Sequence, residues 1–188
     1  MKKIALFASG SGTNAEKICE HFQNHPSIEV SLLLTNKANA GAIERVEKYD
    51  VPTHVFSRPD FYDSSTVIDT LKEQKIDLVV LAGFLWLVPK TLVTAFPNKI
   101  INIHPALLPK YGGKGMYGEH VHQAVVENKE AESGITIHYV NEHYDEGNII
   151  FQASCEVIST DTPADVAKKI HQLEHTHFSV EIEKILKG

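Results

Sequence analysis

The sequence predicts an α/β fold: an open, mostly parallel, Rossmann-like sheet flanked by helices, with antiparallel edge pairing near the C-terminus. Short and wholly apolar runs, such as residues 4–8 and 78–81, are typical of parallel strands that are buried on both faces. Amphipathic stretches separate these runs, which is the alternation expected of βαβ units. Two strand-like runs near the C-terminus have no helix between them, which favours an antiparallel pair.

The first hundred residues supply the parallel part of the predicted sheet. Apolar runs predict strands at residues 4–8, 30–34, 53–56, 78–81 and 99–104. Apolar side chains at helical spacing predict helices at residues 14–22, 40–49 and 64–74. A short helix is expected directly after Pro89, because proline suits a first helical position.

The second part of the chain does not continue this alternation of strands and helices. Residues 111–118 are rich in glycine and predict a mobile loop, and a short helix is predicted at residues 120–128. Strands follow at residues 135–140 and 149–157. Thr162 and Pro163 make a favourable N-cap and first turn for a long helix that ends at Lys187. No linker or repeat interrupts the chain, so we expect one domain over residues 1–188.

Composition argues against several classes of function. The formal net charge of −6 counts against a nucleic-acid partner, which normally meets a basic surface. The longest apolar stretch, residues 78–88, is shorter than the roughly 20 residues that span a bilayer. Cys19 and Cys155 have neither disulfide nor metal-ligand spacing and fit thiols in a reducing compartment. We therefore expect a cytoplasmic protein that contacts no membrane and acts on small molecules.

A glycine-rich turn follows the first predicted strand. Residues 9–14 read SGSGTN, and such a turn before a helix lets free backbone N–H groups approach an anion. The run from Gly10 to Ala15 also fits the dinucleotide pattern, but that site needs a carboxylate about 20 residues further on. Asn36 and Lys37 stand there instead. A phosphate-binding loop is favoured, and a tight turn with a capped helix remains the alternative.

Two polar residues lie at the carboxyl end of the fifth predicted strand, where ligands bind in open α/β sheets. Asn102 and His104 are two residues apart, so their side chains share one side of the strand. An amide and an imidazole directed into one crevice can stabilise an oxyanion and move a proton, as acyl transfer requires. A simple hydrogen-bonding role at the strand end is the alternative.

Two motifs around these residues resemble the folate-dependent formyltransferases. Residues 102–109 read NIHPALLP, and residues 134–138 read GITIH, with Asp145 in the loop that follows. The resemblance implies that Asn102, His104 and Asp145 are the catalytic residues. It also divides the chain into a phosphate-binding half, residues 1–100, and a catalytic half, residues 101–188.

The resemblance extends over nearly the whole chain and is strongest to the branch that formylates glycinamide ribonucleotide in de novo purine biosynthesis. It implies 10-formyltetrahydrofolate as co-substrate, no metal, and a monomer or a homodimer. The substrate-binding residues it implies are Gly12, Thr13, Asn14 and Glu174. The folate-binding residues it implies are Leu85, Trp86, Leu87, Val88, Asn102 and Asn141. Trp86 stands where better-known members often carry a basic or other polar residue.

Three other functions compete with this interpretation. A methionyl-tRNA formyltransferase shares the catalytic trio but is expected to need a further domain and a basic surface. A formyltetrahydrofolate deformylase is expected to carry an added regulatory domain. A nucleotide-binding module without catalysis would not need Asn102, His104 and Asp145 together. A metal site at His171 and His175, four residues apart, lacks a partnering carboxylate motif.

Overall fold

The computed structural model describes all of residues 1–188 and contains one seven-stranded sheet. The strands are β1 (Lys2–Phe7), β2 (Ile28–Thr35), β3 (Thr53–Val55), β4 (Leu78–Leu81), β5 (Ile100–His104), β6 (Glu132–Tyr139) and β7 (Ile149–Glu156). The helices are α1 (Thr13–Phe22), α2 (Gly41–Glu47), α3 (Arg58–Tyr62), α4 (Thr66–Glu73), α5 (Lys90–Ala95), α6 (Glu119–Glu127) and α7 (Pro163–Lys187).

The strand order is β3-β2-β1-β4-β5-β6-β7. The first five strands run parallel to one another, whereas β6 pairs antiparallel with both β5 and β7. This arrangement confirms the predicted fold class, including the antiparallel pairing near the C-terminus. The predicted strands and helices are all present, with bounds that differ by a few residues.

One helix is absent from the prediction. The helix α3 begins after Ser57, whose hydroxyl accepts from the Asp60 N–H at 3.3 Å while Asp60 Oδ2 accepts from the Ser57 N–H at 2.7 Å. This reciprocal capping stabilises a helix of only five residues. Such a short segment has too few turns to show helical periodicity.

Alternating side chains of the central strands explain why those strands are wholly apolar. Ile4 and Leu6 pack into one buried cluster with the helices α1, α2, α6 and α7. Ala5 and Phe7 pack into a second cluster with α3, α4 and α5 on the opposite face. Both faces of the sheet are therefore covered by helices, as a parallel sheet requires.

The long helix α7 begins as predicted. The Thr162 hydroxyl accepts from the Asp165 N–H at 3.2 Å, and Asp165 Oδ2 accepts from the Thr162 N–H at 3.0 Å, with Pro163 in the first turn. This helix packs against both α1 and α6, which brings Glu174 towards the start of α1. None of the helices combines the length and the apolar character that crossing a membrane demands.

Candidate active site

A cleft of about 730 Å³ opens at the carboxyl ends of β1, β4 and β5. These strands are neighbours in the sheet, so the loops that follow them converge on one edge. The cleft is lined by all but one of the residues that the sequence implicates, namely Gly12, Thr13, Asn14, Leu85, Trp86, Leu87, Val88, Asn102, His104, Asp145 and Glu174. The exception is Asn141, which is not part of the lining.

Asn102 and His104 line the cleft and alternate along β5 with Ile101 and Ile103, which belong to the buried cluster that contains Ile4 and Leu6. His104 is almost fully buried, with 3% of its surface exposed. Its Nδ1 atom lies 3.5 Å from Asp145 Oδ2. The structure therefore brings together the three side chains that the sequence analysis names as catalytic.

The second nitrogen of His104 has a fixed role. The Nε2 atom lies 2.7 Å from the carbonyl oxygen of Tyr111. A carbonyl oxygen only accepts hydrogen bonds, so Nε2 carries a proton. The proton that His104 can gain or lose is therefore on Nδ1, the atom that faces Asp145.

Burial and charge set the ionisation of this pair. Burial lowers the pKa of His104, and the favourable effects of Asp145 and the Tyr111 carbonyl do not fully offset it. Burial raises the pKa of the Asp145 carboxyl, but His138, His104 and the Gly113 N–H outweigh that effect, so this pKa lies below its ordinary value. Near neutral pH the structure thus holds an ionised Asp145 beside an imidazole that is mostly uncharged.

His138 is a site residue that the sequence analysis does not identify. It lies opposite Asn102 in the antiparallel β5–β6 pair. Its Nδ1 atom donates to the Tyr139 carbonyl at 2.9 Å, and its Nε2 atom lies 3.1 Å from Asn102 Nδ2. The same Nε2 lies 3.5 Å from Asp145 Oδ1. The only signal in the sequence is its place in the GITIH motif, since its contact with Asn102 depends on strand register.

The loop that carries Asp145 is held in an unusual conformation. Asp145 has a φ of 56°, a left-handed value that aspartate tolerates better than most residues. Its Oδ2 atom accepts from the Gly113 N–H at 3.0 Å. Farther along, Tyr139 N–H donates to the Asn148 carbonyl at 2.9 Å and closes the loop onto β6. Asp145 therefore depends on the glycine-rich segment at residues 111–118 for its orientation.

The glycine-rich turn after β1 leads directly into α1. Gly12 is the N-cap residue with φ 78°, and no side chain caps the helix, so the first N–H groups of α1 are free to meet an anion. A Cβ atom at Gly12 would overlap Ala42 in α2. Replacing Gly12 would therefore disturb the packing of α1 against α2 as well as any bound phosphate.

Ser9 joins this turn to its neighbours. Its buried hydroxyl donates to Asn36 Oδ1 at 2.8 Å and accepts from the Leu85 N–H at 3.2 Å. Asn36 is the residue that stands where a dinucleotide site would place a carboxylate. In this fold it anchors the turn, and the loops after β1, β2 and β4 are connected through one hydroxyl.

Glu174 reaches the same end of the cleft from α7. Its side chain is buried, and Oε2 accepts from Asn14 Nδ2 at 3.0 Å. His171 Nδ1 lies 3.5 Å from the same oxygen. Burial raises the pKa of the Glu174 carboxyl, and Asn14 and His171 offset only part of that effect. Because both protein contacts are to Oε2, the other oxygen is available to a ligand hydroxyl.

Apolar and aromatic side chains form another wall of the cleft. Leu85 is 41% exposed, whereas Val88 is buried. Trp86 packs with Phe56, Phe61, Tyr62 and Phe84 at ring-centroid distances of 5.9 to 6.3 Å. The Tyr62 hydroxyl donates to the Leu87 carbonyl at 2.8 Å, which fixes this segment to α3. This wall suits a flat, largely apolar ligand.

Asn141 has a local contact outside the cleft. Its carboxamide oxygen accepts from the His143 N–H at 2.9 Å, in a turn just after β6. His171 and His175 remain near each other on α7, with ring centroids 6.2 Å apart. No group of three or more His, Cys, Asp or Glu side chains is arranged to hold a metal ion.

Known proteins resemble this chain in both sequence and structure. The family model described as formyl transferase matches residues 2–182. A chloroplastic phosphoribosylglycinamide formyltransferase of Arabidopsis thaliana is 45% identical over 93% of this chain and 62% of its own length. The Bacillus subtilis phosphoribosylglycinamide formyltransferase is 36% identical over 99% of this chain and 95% of its own length. The chain thus spans about three fifths of the plant relative.

Solved structures of bacterial proteins show the same architecture. The phosphoribosylglycinamide formyltransferase of Bacillus halodurans matches with a TM-score of 0.88 and 38% identity, covering 98% of this chain and 95% of that one. Glycinamide ribonucleotide transformylase 1 of Geobacillus kaustophilus matches with a TM-score of 0.89 and 35% identity, covering 99% of each chain. Sequence and fold agree, and the chain belongs to the formyl transferase family.

Proposed function

We propose that this chain transfers a formyl group from 10-formyltetrahydrofolate to the amine of glycinamide ribonucleotide, a step of de novo purine biosynthesis. The observation that carries the proposal is one cleft that holds a free helix N-terminus at one end and the His104–Asp145 pair beside Asn102. The names of the relatives at 36–45% identity support the choice of substrate. The co-substrate follows from the resemblance to folate-dependent formyltransferases.

The proposed reaction is acyl transfer. A bond forms between the amine nitrogen and the formyl carbon, and the bond from that carbon to N10 of the folate breaks. One proton leaves the amine nitrogen and one reaches N10, so the protons balance. Positioning two bound reactants can supply about 7–11 kcal/mol of such a barrier.

The trio of Asn102, His104 and Asp145 has suitable chemistry for these steps. In this proposal, His104 Nδ1 takes the proton from the amine, because Nε2 is committed to the Tyr111 carbonyl. The ionised Asp145 stabilises the imidazolium that results. Asn102 has a second amide N–H beyond the one given to His138, and this N–H would donate to the developing oxyanion.

Different parts of the cleft suit the two substrates. The free N–H groups at the start of α1, including those of Thr13 and Asn14, would bind the phosphate. The open oxygen of Glu174 would accept from a ribose hydroxyl. The apolar wall at residues 85–88 would bind the pteridine ring. All of these groups come from a single chain.

A spectrophotometric assay tests the proposal directly. The purified chain is mixed with 10-formyltetrahydrofolate, with and without glycinamide ribonucleotide, and formation of the deformylated folate is followed by absorbance. We expect product only when the ribonucleotide is present. Equal rates in its absence would indicate a deformylase, and no turnover in either mixture would contradict formyl transfer to this amine.

A further inference from the structure

We propose that Glu130 is a positioning residue for the transfer step, because it anchors Tyr111, whose carbonyl fixes the orientation and protonation of His104. The inference rests on the proposed formyl transfer, in which His104 Nδ1 moves a proton. Glu130 does not line the cleft, so it would act only through Tyr111.

The first contact joins Glu130 to the side chain of Tyr111. Glu130 lies in the short connection between α6 and β6, and its Oε1 atom accepts from the Tyr111 hydroxyl at 2.8 Å. Lys110 Nζ contacts both carboxylate oxygens at 3.1 and 3.2 Å from the solvent side. The hydrogen bond from Tyr111 and the one from Lys110 lower the pKa of the Glu130 carboxyl. Glu130 is therefore an ionised acceptor at neutral pH, and its bond to the phenol is charge-assisted.

The second step concerns the backbone of Tyr111. This residue has a φ of 54°, a left-handed conformation that is unfavourable for a bulky side chain. Such a conformation persists only where surrounding contacts impose it. The Tyr111 side chain packs against the buried cluster that contains Ile4 and Leu6, and the bond to Glu130 fixes its far end. These side-chain contacts hold the Tyr111 carbonyl in place.

The third step joins that carbonyl to the reacting nitrogen. The Tyr111 carbonyl oxygen lies 2.7 Å from His104 Nε2, which keeps the proton on Nε2 and leaves Nδ1 facing Asp145 at 3.5 Å. Two residues further along the same segment, the Gly113 N–H donates to Asp145 at 3.0 Å. A shift of Tyr111 would therefore misplace both members of the pair. The groups that face His104 and titrate are Asp145 and His138.

Two variants separate this role from a general loss of structure. Tyr111→Phe removes the phenol hydroxyl and keeps the ring, and Glu130→Ala removes its acceptor. Glu130→Gln keeps an acceptor oxygen and serves as the conservative rescue. Lys110→Met is the matched control, because it removes the other contact of Glu130 from a side chain that is 67% exposed.

The expected kinetic result is a fall in kcat with little change in KM. For Tyr111→Phe and Glu130→Ala we expect kcat to fall by about 10- to 100-fold, since a displacement on the order of 1 Å can cost about 100-fold. The acid limb of the kcat/KM profile should move to lower pH, because the Tyr111 carbonyl stabilises protonated His104. Glu130→Gln should recover most of kcat, and Lys110→Met should resemble the unmodified chain.

Imidazole nitrogen NMR gives a readout that needs no substrate. The unmodified chain should show a neutral His104 protonated only on Nε2, whereas Tyr111→Phe and Glu130→Ala should show a mixture of the two tautomers. If Glu130→Ala does not fold, the Tyr111→Phe variant alone tests the positioning role. Unchanged kcat and a single tautomer in Tyr111→Phe would overturn the inference, as would equal losses in Lys110→Met and Glu130→Ala. If the unmodified chain transfers no formyl group, the proposed function fails while the tautomer measurement still tests the anchoring.

Discussion

The two ends of the cleft are built on different principles. At the loop end, formed by residues 10–14 and Glu174, the groups offered to a ligand are mostly backbone N–H groups at the start of a helix. At the transfer end, formed by Asn102, His104 and Asp145, the groups are side chains that touch one another or share His138. The groups at the loop end are positioned by the conformation of the backbone, whereas those at the transfer end depend on the ionisation and hydrogen bonding of side chains.

This difference predicts that substrate binding and formyl transfer respond to substitutions at different residues. Backbone N–H groups do not titrate, so the charge of those at the start of α1 should stay the same over a wide pH range. The transfer end contains a buried imidazole and a partly buried carboxylate whose pKa values depend on each other. Substitutions at the loop end should therefore change KM for the ribonucleotide, whereas those at the transfer end should change kcat and its pH dependence.

The largest expected effect is that of Asp145→Asn. The amide retains an oxygen for the Gly113 N–H but loses the charge that stabilises a protonated His104. We expect kcat to fall by about 10²- to 10⁴-fold, the usual contribution of general acid–base catalysis, with the thermal melting temperature nearly unchanged. Steady-state kinetics and a melting curve check both parts. A variant that retains near-normal turnover would remove Asp145 from the mechanism.

A smaller effect is expected for Glu174→Gln at the loop end. The amide keeps an oxygen for Asn14 but presents an N–H₂ group where the carboxylate offers an acceptor. Loss of a hydrogen bond to a charged group costs about 1.5–3 kcal/mol, so KM for the ribonucleotide should rise by roughly 10- to 100-fold. His171→Gln, which alters the other contact of Glu174, is the matched control. A fall in kcat with unchanged KM would place Glu174 in the transfer step instead.

Gly12→Ala should destabilise the fold. This substitution at the loop end should therefore change stability as well as substrate binding. The new methyl group would meet Ala42 in a left-handed backbone position, at a cost of about 1–3 kcal/mol in the free energy of unfolding. Chemical denaturation measures this loss. Thr13→Ala is the comparison variant, since Thr13 lines the cleft without such a clash. Equal unfolding free energies for the two variants would contradict the packing argument.

The smallest expected effect is the position of the acid limb in the pH profile. His104 must be neutral to accept a proton, and burial holds its pKa below the ordinary value of 6.5. The value of kcat/KM should therefore rise with pH through an apparent pKa below 6.5, and Glu174→Gln should leave the position of that limb unchanged. A limb at or above 6.5 would mean that Asp145 outweighs burial.

The sheet could be predicted from sequence because its signal is local. Leu78–Leu81 is predicted with its observed bounds, since a strand buried on both faces is apolar throughout. The helix α3 is missed because five residues show no periodicity. The N-cap of α7 is predicted because Thr162 and Pro163 stand next to each other in the chain.

The site could be predicted only in part, because its contacts join distant segments. Asn102 and His104 are found from strand alternation, whereas Asp145 is one of many acidic residues and is named only through the family resemblance. His138 escapes notice because its bond to Asn102 spans 36 residues and depends on strand register. The folate-binding role implied for Asn141 stays a prediction, and its side chain bonds within its own turn.

The dissociation constant of glycinamide ribonucleotide, measured by calorimetry for Asp145→Asn and Glu174→Gln, tests the separation of the two ends most directly. We predict that Asp145→Asn binds the ribonucleotide nearly as tightly as the unmodified chain, although its kcat is greatly reduced. Glu174→Gln should bind at least about tenfold more weakly, a loss of about 1.4 kcal/mol. Equal losses of affinity in the two variants would show that binding and transfer are not divided between the ends of the cleft.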